Sequence, residues 1–112
     1  MKMEPRESKG VVILELSGKI MGGPDATLLN EKLHELIGSN KTKIVADLQK
    51  VDWMNSSGLG ILIGGLTTMR NNGGDLKLAN ITDRIQSLLM ITKLLTVFET
   101  FETVEEAIAS FG

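Results

Sequence analysis

Two periodicities alternate along the chain. Val11 to Leu16 is apolar and β-branched and predicts a strand, preceded by a short edge strand near Met3 to Glu7. The spacing then lengthens. Ala26, Leu29, Leu33, Leu36 and Ile37 recur at helical intervals, with Asp25 placed to accept hydrogen bonds from the first free amides and Gly38 to supply a stop. Lys43 to Leu48 is a short apolar run through Ile44, Val45 and Ala46, bounded by polar residues as a buried central strand would be. A long apolar segment from Leu59 to Met69, ended by Asn71-Asn72-Gly73-Gly74, predicts a second helix. Asp75 to Ala79 alternates like a half-buried strand, and Thr82 is positioned to cap a third helix that turns Ile85, Leu88 and Leu89 to one side. Val97 to Phe101 predicts a last short strand. Thr103-Val104-Glu105-Glu106 is a capping box, and Val104, Ala107, Ile108 and Phe111 follow it at i, i+3, i+4 and i+7, which predicts an amphipathic terminal helix.

Strands alternating with helices imply right-handed crossovers, so the expected class is α/β: a mixed, mostly parallel sheet with helices packed on it. No linker, internal repeat or low-complexity stretch interrupts the pattern, and residues 1–112 are expected to form a single domain. Composition narrows the function. With 42% apolar and 23% charged residues the chain reads as soluble and globular. The absence of cysteine removes disulfides, thiolate metal sites and cysteine nucleophiles. Neither a signal peptide nor an apolar run near the roughly 20 residues of a membrane span is present, so a cytoplasmic location without membrane attachment is expected. A formal charge of −2 and only four aromatics (Trp53, Phe98, Phe101, Phe111) supply no basic patch or stacking platform, so direct nucleic-acid binding is not expected.

The chemistry is concentrated in Met54-Asn55-Ser56-Ser57-Gly58-Leu59-Gly60, where a buried strand ends and a helix begins. Ligand sites in open α/β sheets gather at such junctions. A serine there exposes its hydroxyl beside unpaired helix amides, and a phosphate added to it would meet those donors and the positive end of the macrodipole. The plain alternative is that a serine or Asn55 caps the helix and does nothing more, a role worth roughly 1 kcal/mol. Gly58 and Gly60 leave little bulk around the hydroxyl. Gly64 and Gly65 each cost about 1 kcal/mol against alanine within a helix and point to close contact, either inside the domain or with a partner.

The run Asp47-Leu48 and Val51-Asp52-Trp53-Met54-Asn55-Ser56-Ser57-Gly58-Leu59-Gly60 resembles the signature of anti-sigma-factor antagonists of the STAS superfamily, Met-Asp-Ser-Ser/Thr-Gly-Leu-Gly. The resemblance continues through Gly73 to Leu78 and Ile81 to Leu94 and covers the element order of nearly the whole chain. It implies a single STAS-like domain and maps the family's phosphoacceptor onto Ser56, supported by Asn55, Ser57 and Gly58, with Ser57 also placed to cap the helix. It implies partners too: an anti-sigma factor with serine-kinase activity and a protein phosphatase. The unphosphorylated form is expected to bind the anti-sigma factor and release the sigma factor. Met21, Gly22, Gly23 and Leu59 are the candidate partner-binding residues, because the Met21 loop and the serine motif leave the same end of neighbouring strands. Three positions depart from the family pattern. Asn55 replaces the aspartate before the acceptor and removes a charge. The loop reading Gly18-Lys19-Ile20-Met21-Gly22-Gly23 lacks the usual acids, and Lys93 stands where relatives place a glycine, leaving the third helix without an easy left-handed residue at its end.

Enzyme readings lack machinery. Gly58-x-Gly60-x-x-x-Gly64 has the wrong third spacing for a dinucleotide fingerprint, and no phosphate-binding Gly-Lys-Ser/Thr run exists. His34, the single histidine, sits in an amphipathic helix between Glu31 and Glu35, a solvated position more than a metal or triad position. No catalytic residues, metal ligands or cofactors are expected. The competing class is a constitutive STAS accessory or scaffold subunit of a transport or signalling complex, in which Ser56 only caps a helix.

Overall fold

The computed structural model describes residues 1–111, which form five strands and four helices. β1 (Lys2–Ser8) and β2 (Val11–Ile20) are joined by Lys9 and Gly10, both left-handed with φ of 54° and 78°. Two consecutive left-handed residues make the tight hairpin turn that matches strand twist. The hairpin is antiparallel from Lys2 opposite Ser17 to Ser8 opposite Val11. Every later pairing is parallel: β3 (Lys43–Met54) on β2, β4 (Asp75–Ala79) on β3, and β5 (Thr100–Phe101) on β4. The sheet order is β1-β2-β3-β4-β5. Parallel neighbours need a crossover, and α1 (Pro24–Gly38), α2 (Ser56–Asn71) and α3 (Asp83–Ile91) supply the three. The mixed, mostly parallel α/β sheet is therefore as the periodicity predicts.

Alternation along the strands divides the core. Val12, Leu14, Leu16, Ile44, Ala46, Leu48, Leu76 and Leu78 meet Leu29 and Leu33 of α1, Leu62 and Leu66 of α2, and Ile85 and Leu89 of α3 on one face. Val11, Ile13, Val45 and Ala79 form a smaller cluster on the other face with Val104 and Ala107 of α4 (Val104–Ser110), and Ile108 and Phe111 pack at its margin. All four periodic side chains of the terminal helix are thus accounted for. Lys77, buried on the α4 side, directs its Nζ to Ser110 Oγ at 2.8 Å and Glu99 Oε2 at 2.9 Å, with the Phe111 ring 4.3 Å away. A buried ammonium is tolerated when its donors are satisfied and an aromatic face covers it, so the lysine pins the end of α4.

Boundaries differ from the sequence expectation in instructive ways. β2 and β3 run on past Leu16 and Leu48, through register shifts between Glu15 and Ser17 and between Gly18 and Lys19, until Ile20 pairs with Met54. Bulges of this kind break the period-2 pattern that marks a strand in sequence. β5 keeps only two residues of Val97 to Phe101. Asp25 does not cap α1. The cap position is Gly23, Pro24 takes the first turn, and Asp25 Oδ1 instead lies 3.4 Å from the terminal ammonium of Met1. The left-handed residue ending α1 is Asn40, φ 59°, and Lys41 N donates to Leu36 O at 2.8 Å, so Gly38 is simply the last helical residue. At the end of α3, Lys93 itself takes the left-handed conformation, φ 62°, while Leu94 N closes on Leu89 O at 2.8 Å.

Candidate functional site

The extended pairing of β2 with β3 sets up the site. Because Ile20 lies opposite Met54, the chain leaves both strands at one end of the sheet, and the Met21-Gly22-Gly23 loop lands beside the start of α2. Gly22 has φ of 104°, and a Cβ placed on it would stand 3.3 Å from Ser57 Cβ. The expected proximity of loop and serines is therefore present, with Ser57 as the direct neighbour. Met21 is 47% exposed, large for an apolar side chain with no covering segment.

Asn55 settles which residue caps α2. It is extended, φ −106°, and its Oδ1 accepts from Gly58 N at 2.8 Å, while its carbonyl accepts from Leu59 N at 2.9 Å. Ser56 and Ser57 are consequently the first two helical residues. The expectation that Ser57 caps the helix is corrected: Asn55 does so, and an aspartate in the same place would offer the same acceptor. Both serines are exposed, and neither hydroxyl has a hydrogen-bond partner among the described residues. The first turn of α2 contains no acidic residue, whereas α1 has Asp25, α3 has Asp83 and α4 has Glu105 and Glu106. The positive end of a 16-residue helix is left uncompensated beside two free hydroxyls.

Gly58 and Leu59 play other parts than expected. A Cβ on Gly58 would come 1.8 Å from the Ile20 carbonyl oxygen, so this glycine allows α2 to sit on the end of β2 and does not open the hydroxyl to a visitor. Leu59 is 1% exposed and belongs to the core, which takes it out of any surface contact. Gly65 packs against Leu33 and Leu76 and answers the close-contact reading from within the domain. Gly60 and Gly64 face open space, along a cleft of about 790 Å³ between α1 and α2 that begins at Gly22 and Ser57. His34 is exposed, as its helix position predicts.

One feature of this end of the sheet escaped the sequence reading. Trp53, 40% exposed at the end of β3, carries the Arg84 guanidinium 4.4 Å from its ring centre. Arg84 belongs to the first turn of α3, which also starts at the parallel strands' C-terminal end, capped by Thr82 through Ile85 N at 3.3 Å. No short-range spacing signals a pair so far apart in the chain. Arginine stacked on an exposed indole is the composition that recurs at binding hot spots.

The STAS domain family model matches residues 2–107. An anti-sigma F factor antagonist of Paenibacillus polymyxa is 23% identical over 103 residues, covering 91% of this chain and 87% of that protein. The anti-sigma-B factor antagonist of Bacillus subtilis is 34% identical over 74 residues, covering 66% of this chain and 67% of its own. An anti-sigma factor antagonist from Mycobacterium paratuberculosis has the same fold, with a TM-score of 0.81 at 20% identity over 97% of this chain and 92% of that one. So has the Bacillus cell fate determinant SpoIIAA in its phosphorylated form, at 0.74 and 19% over 99% and 100%. A sulfate transporter family protein from Wolinella succinogenes matches at 0.78 and 20% over 92% and 85%. The chain belongs to the STAS domain family, and its relatives in sequence are anti-sigma factor antagonists.

Proposed function

We propose that this protein is an anti-sigma factor antagonist switched by phosphorylation of Ser56, acting by binding and without catalysis of its own. The carrying observation is the start of α2: an exposed serine in the first helical position, its hydroxyl free because Asn55 takes the cap, on the one helix whose first turn lacks a carboxylate. A phosphate on that hydroxyl adds about −1.5 to −2 charges where amides and helix dipole favour an anion, so the modified state is stable in place. The same charge faces outward toward a docked partner. There it must be desolvated or repelled, and each 1.4 kcal/mol of lost binding is about tenfold in affinity. On this reading the unphosphorylated chain binds an anti-sigma factor with serine-kinase activity through Met21, Gly22, Gly23 and the Asn55-Ser56-Ser57 turn. Phosphorylation releases it, and a protein phosphatase resets it in the cytoplasm. The names of the sequence relatives support the anti-sigma factor as partner, and the phosphorylated form in which SpoIIAA was solved supports the switch.

The test is intact-mass measurement with fragment mapping after incubation with a serine-kinase anti-sigma factor from the same genome. One phosphate on Ser56, absent in Ser56→Ala although Ser56→Ala still binds, is the expected result. Phosphate on Ser57 overturns the residue assignment. The second reading, a constitutive accessory module, draws on the same fold in a sulfate transporter family protein. It predicts partner binding with no phosphate on either serine.

A further inference from the structure

The sheet is wider than the helix that covers its second face. Five strands about 4.8 Å apart exceed the roughly 10 Å width of one helix, and α4 packs on β3, β4 and β5. Val11 and Ile13 of β2 are buried in the same cluster, the β1 edge of that face stays open, and a cavity of about 350 Å³ lies there against α4. Its floor is apolar, formed by half-buried Ile108 and Phe111 at the end of α4 above buried Val11 of β2. Its rim is cationic. Arg6 lies opposite Ile13 in the hairpin register, so its side chain leaves the sheet on the α4 side, and Lys43 reaches the same side because Ile44 next to it points to the other core. Lys9 joins them from the hairpin turn.

These three cations have no counter-ion among the described residues. Lys41 pairs with Glu7 at 2.8 Å, Lys50 with Glu15 at 2.9 Å and Lys77 with Glu99 at 2.9 Å, whereas Arg6, Lys9 and Lys43 form no ion pair among the described residues. Among the described residues the lining has one carboxylate, Glu105. A chain of net charge −2 thus keeps a local excess of positive charge around an apolar floor. By contrast, the larger cleft between α1 and α2 has no lysine or arginine in its lining.

We infer that the cavity between the β1–β2 hairpin and α4 binds a small amphipathic anion, with a carboxylate or phosphate head held by Arg6, Lys9 and Lys43 and a short apolar body laid on Ile108 and Phe111. The volume falls in the range of small-molecule sites, about 300–1,000 Å³. The arrangement answers each part of such a ligand: guanidinium and ammonium donors for the head, and removal of apolar area from water for the body. The site is on the opposite face of the sheet from α2 and does not depend on the role of Ser56.

An NMR titration of the isotope-labelled chain below micelle-forming concentrations tests it, with octanoate and octyl phosphate as probes and 1-octanol and inorganic phosphate as controls. Saturable shifts of the Ile108 methyls and the Phe111 ring with either amphiphile, weakened about tenfold in Arg6→Ala/Lys43→Ala and by added salt, are expected. Preference between octanoate and octyl phosphate assigns the head group. Both replaced side chains are exposed, and an unchanged spectrum elsewhere verifies the fold. Unmoved Ile108 and Phe111 signals, binding undiminished in the double variant, or equal binding of 1-octanol or of inorganic phosphate alone would each overturn the inference.

Discussion

The helices α2 and α4 begin with the same device and opposite surroundings. At α4, Thr103 Oγ1 accepts from Glu106 N at 3.1 Å and two glutamates fill the first turn, so cap and charge both serve the helix. At α2, Asn55 Oδ1 accepts from Gly58 N at 2.8 Å, but the first turn holds two serines and Gly58, with Gly60 next, and no charge. Carboxylates near a helix N-terminus are worth about 0.3–1 kcal/mol each, a gain α4 takes and α2 forgoes. A first turn optimised for stability would place an acid there. The omission leaves the positive end of α2 available to an anion that arrives later, as the proposed phosphorylation of Ser56 requires.

The largest expected effect comes from the glycine that lets α2 sit where it does. Gly58→Ala forces a Cβ into the Ile20 carbonyl, and neither backbone can yield without moving β2 or α2. A loss of about 3 kcal/mol in urea unfolding is expected, at the upper end for overpacking. Gly60→Ala, into open space on the same helix, is the control and should stabilise by up to about 1 kcal/mol. If the two variants unfold alike, the close approach of α2 to β2 is refuted and the site's geometry with it.

A helix end gives the next effect. Lys93 holds a left-handed conformation that costs a non-glycine residue about 1–2 kcal/mol, so Lys93→Gly should raise stability by roughly 1 kcal/mol, part of the relief being offset by added chain entropy. The substitution should leave partner binding untouched. A destabilised variant would mean that Lys93 makes compensating contacts.

Asn55→Ala and Thr103→Ala form a matched pair. Each removes a side-chain cap and should cost about 1 kcal/mol by chemical denaturation. Only the first should also slow phosphate incorporation at Ser56, because it loosens the turn that presents the hydroxyl. Equal phosphorylation of both variants would detach the cap from the site.

These cases mark what the sequence makes legible. Periodic segments with a local cap, such as Thr82 before Ile85 and Thr103 before Val104, are readable because every determinant lies within one or two turns. The strand-to-helix junction at Ser56 was legible for the same reason, helped by the family signature. What was hidden depends on distant residues. Gly58 reads as an opening until the Ile20 carbonyl is placed above it, Leu59 as a contact until the core closes round it, and Trp53 as an ordinary strand residue until Arg84 stacks on it. Asp25 misled because a proline in the first turn shifted the cap back to Gly23. β2 and β3 outran their apolar runs because bulges erase alternation.

The smallest effect divides stability from binding most cleanly. Ser56→Asp puts a carboxylate on the uncompensated first turn of α2, so the folded chain should gain about 0.3–1 kcal/mol at low ionic strength and lose most of that gain at high salt. Glu105→Gln at α4 should show the reverse sign, a loss of similar size with the same salt dependence. Affinity for the anti-sigma factor should meanwhile fall in Ser56→Asp and stay unchanged in Glu105→Gln, since only the first charge stands on the turn proposed to dock. One carboxylate carries less charge than a phosphate, so the fall should be smaller than phosphorylation produces. Paired urea titrations and binding isotherms at two salt concentrations read both quantities. A variant that is stabilised yet binds less well identifies charge at the contact as the agent. A variant that binds less well because α2 has loosened would instead show a lowered urea midpoint, and would return the start of α2 to the same ordinary structural role as the start of α4.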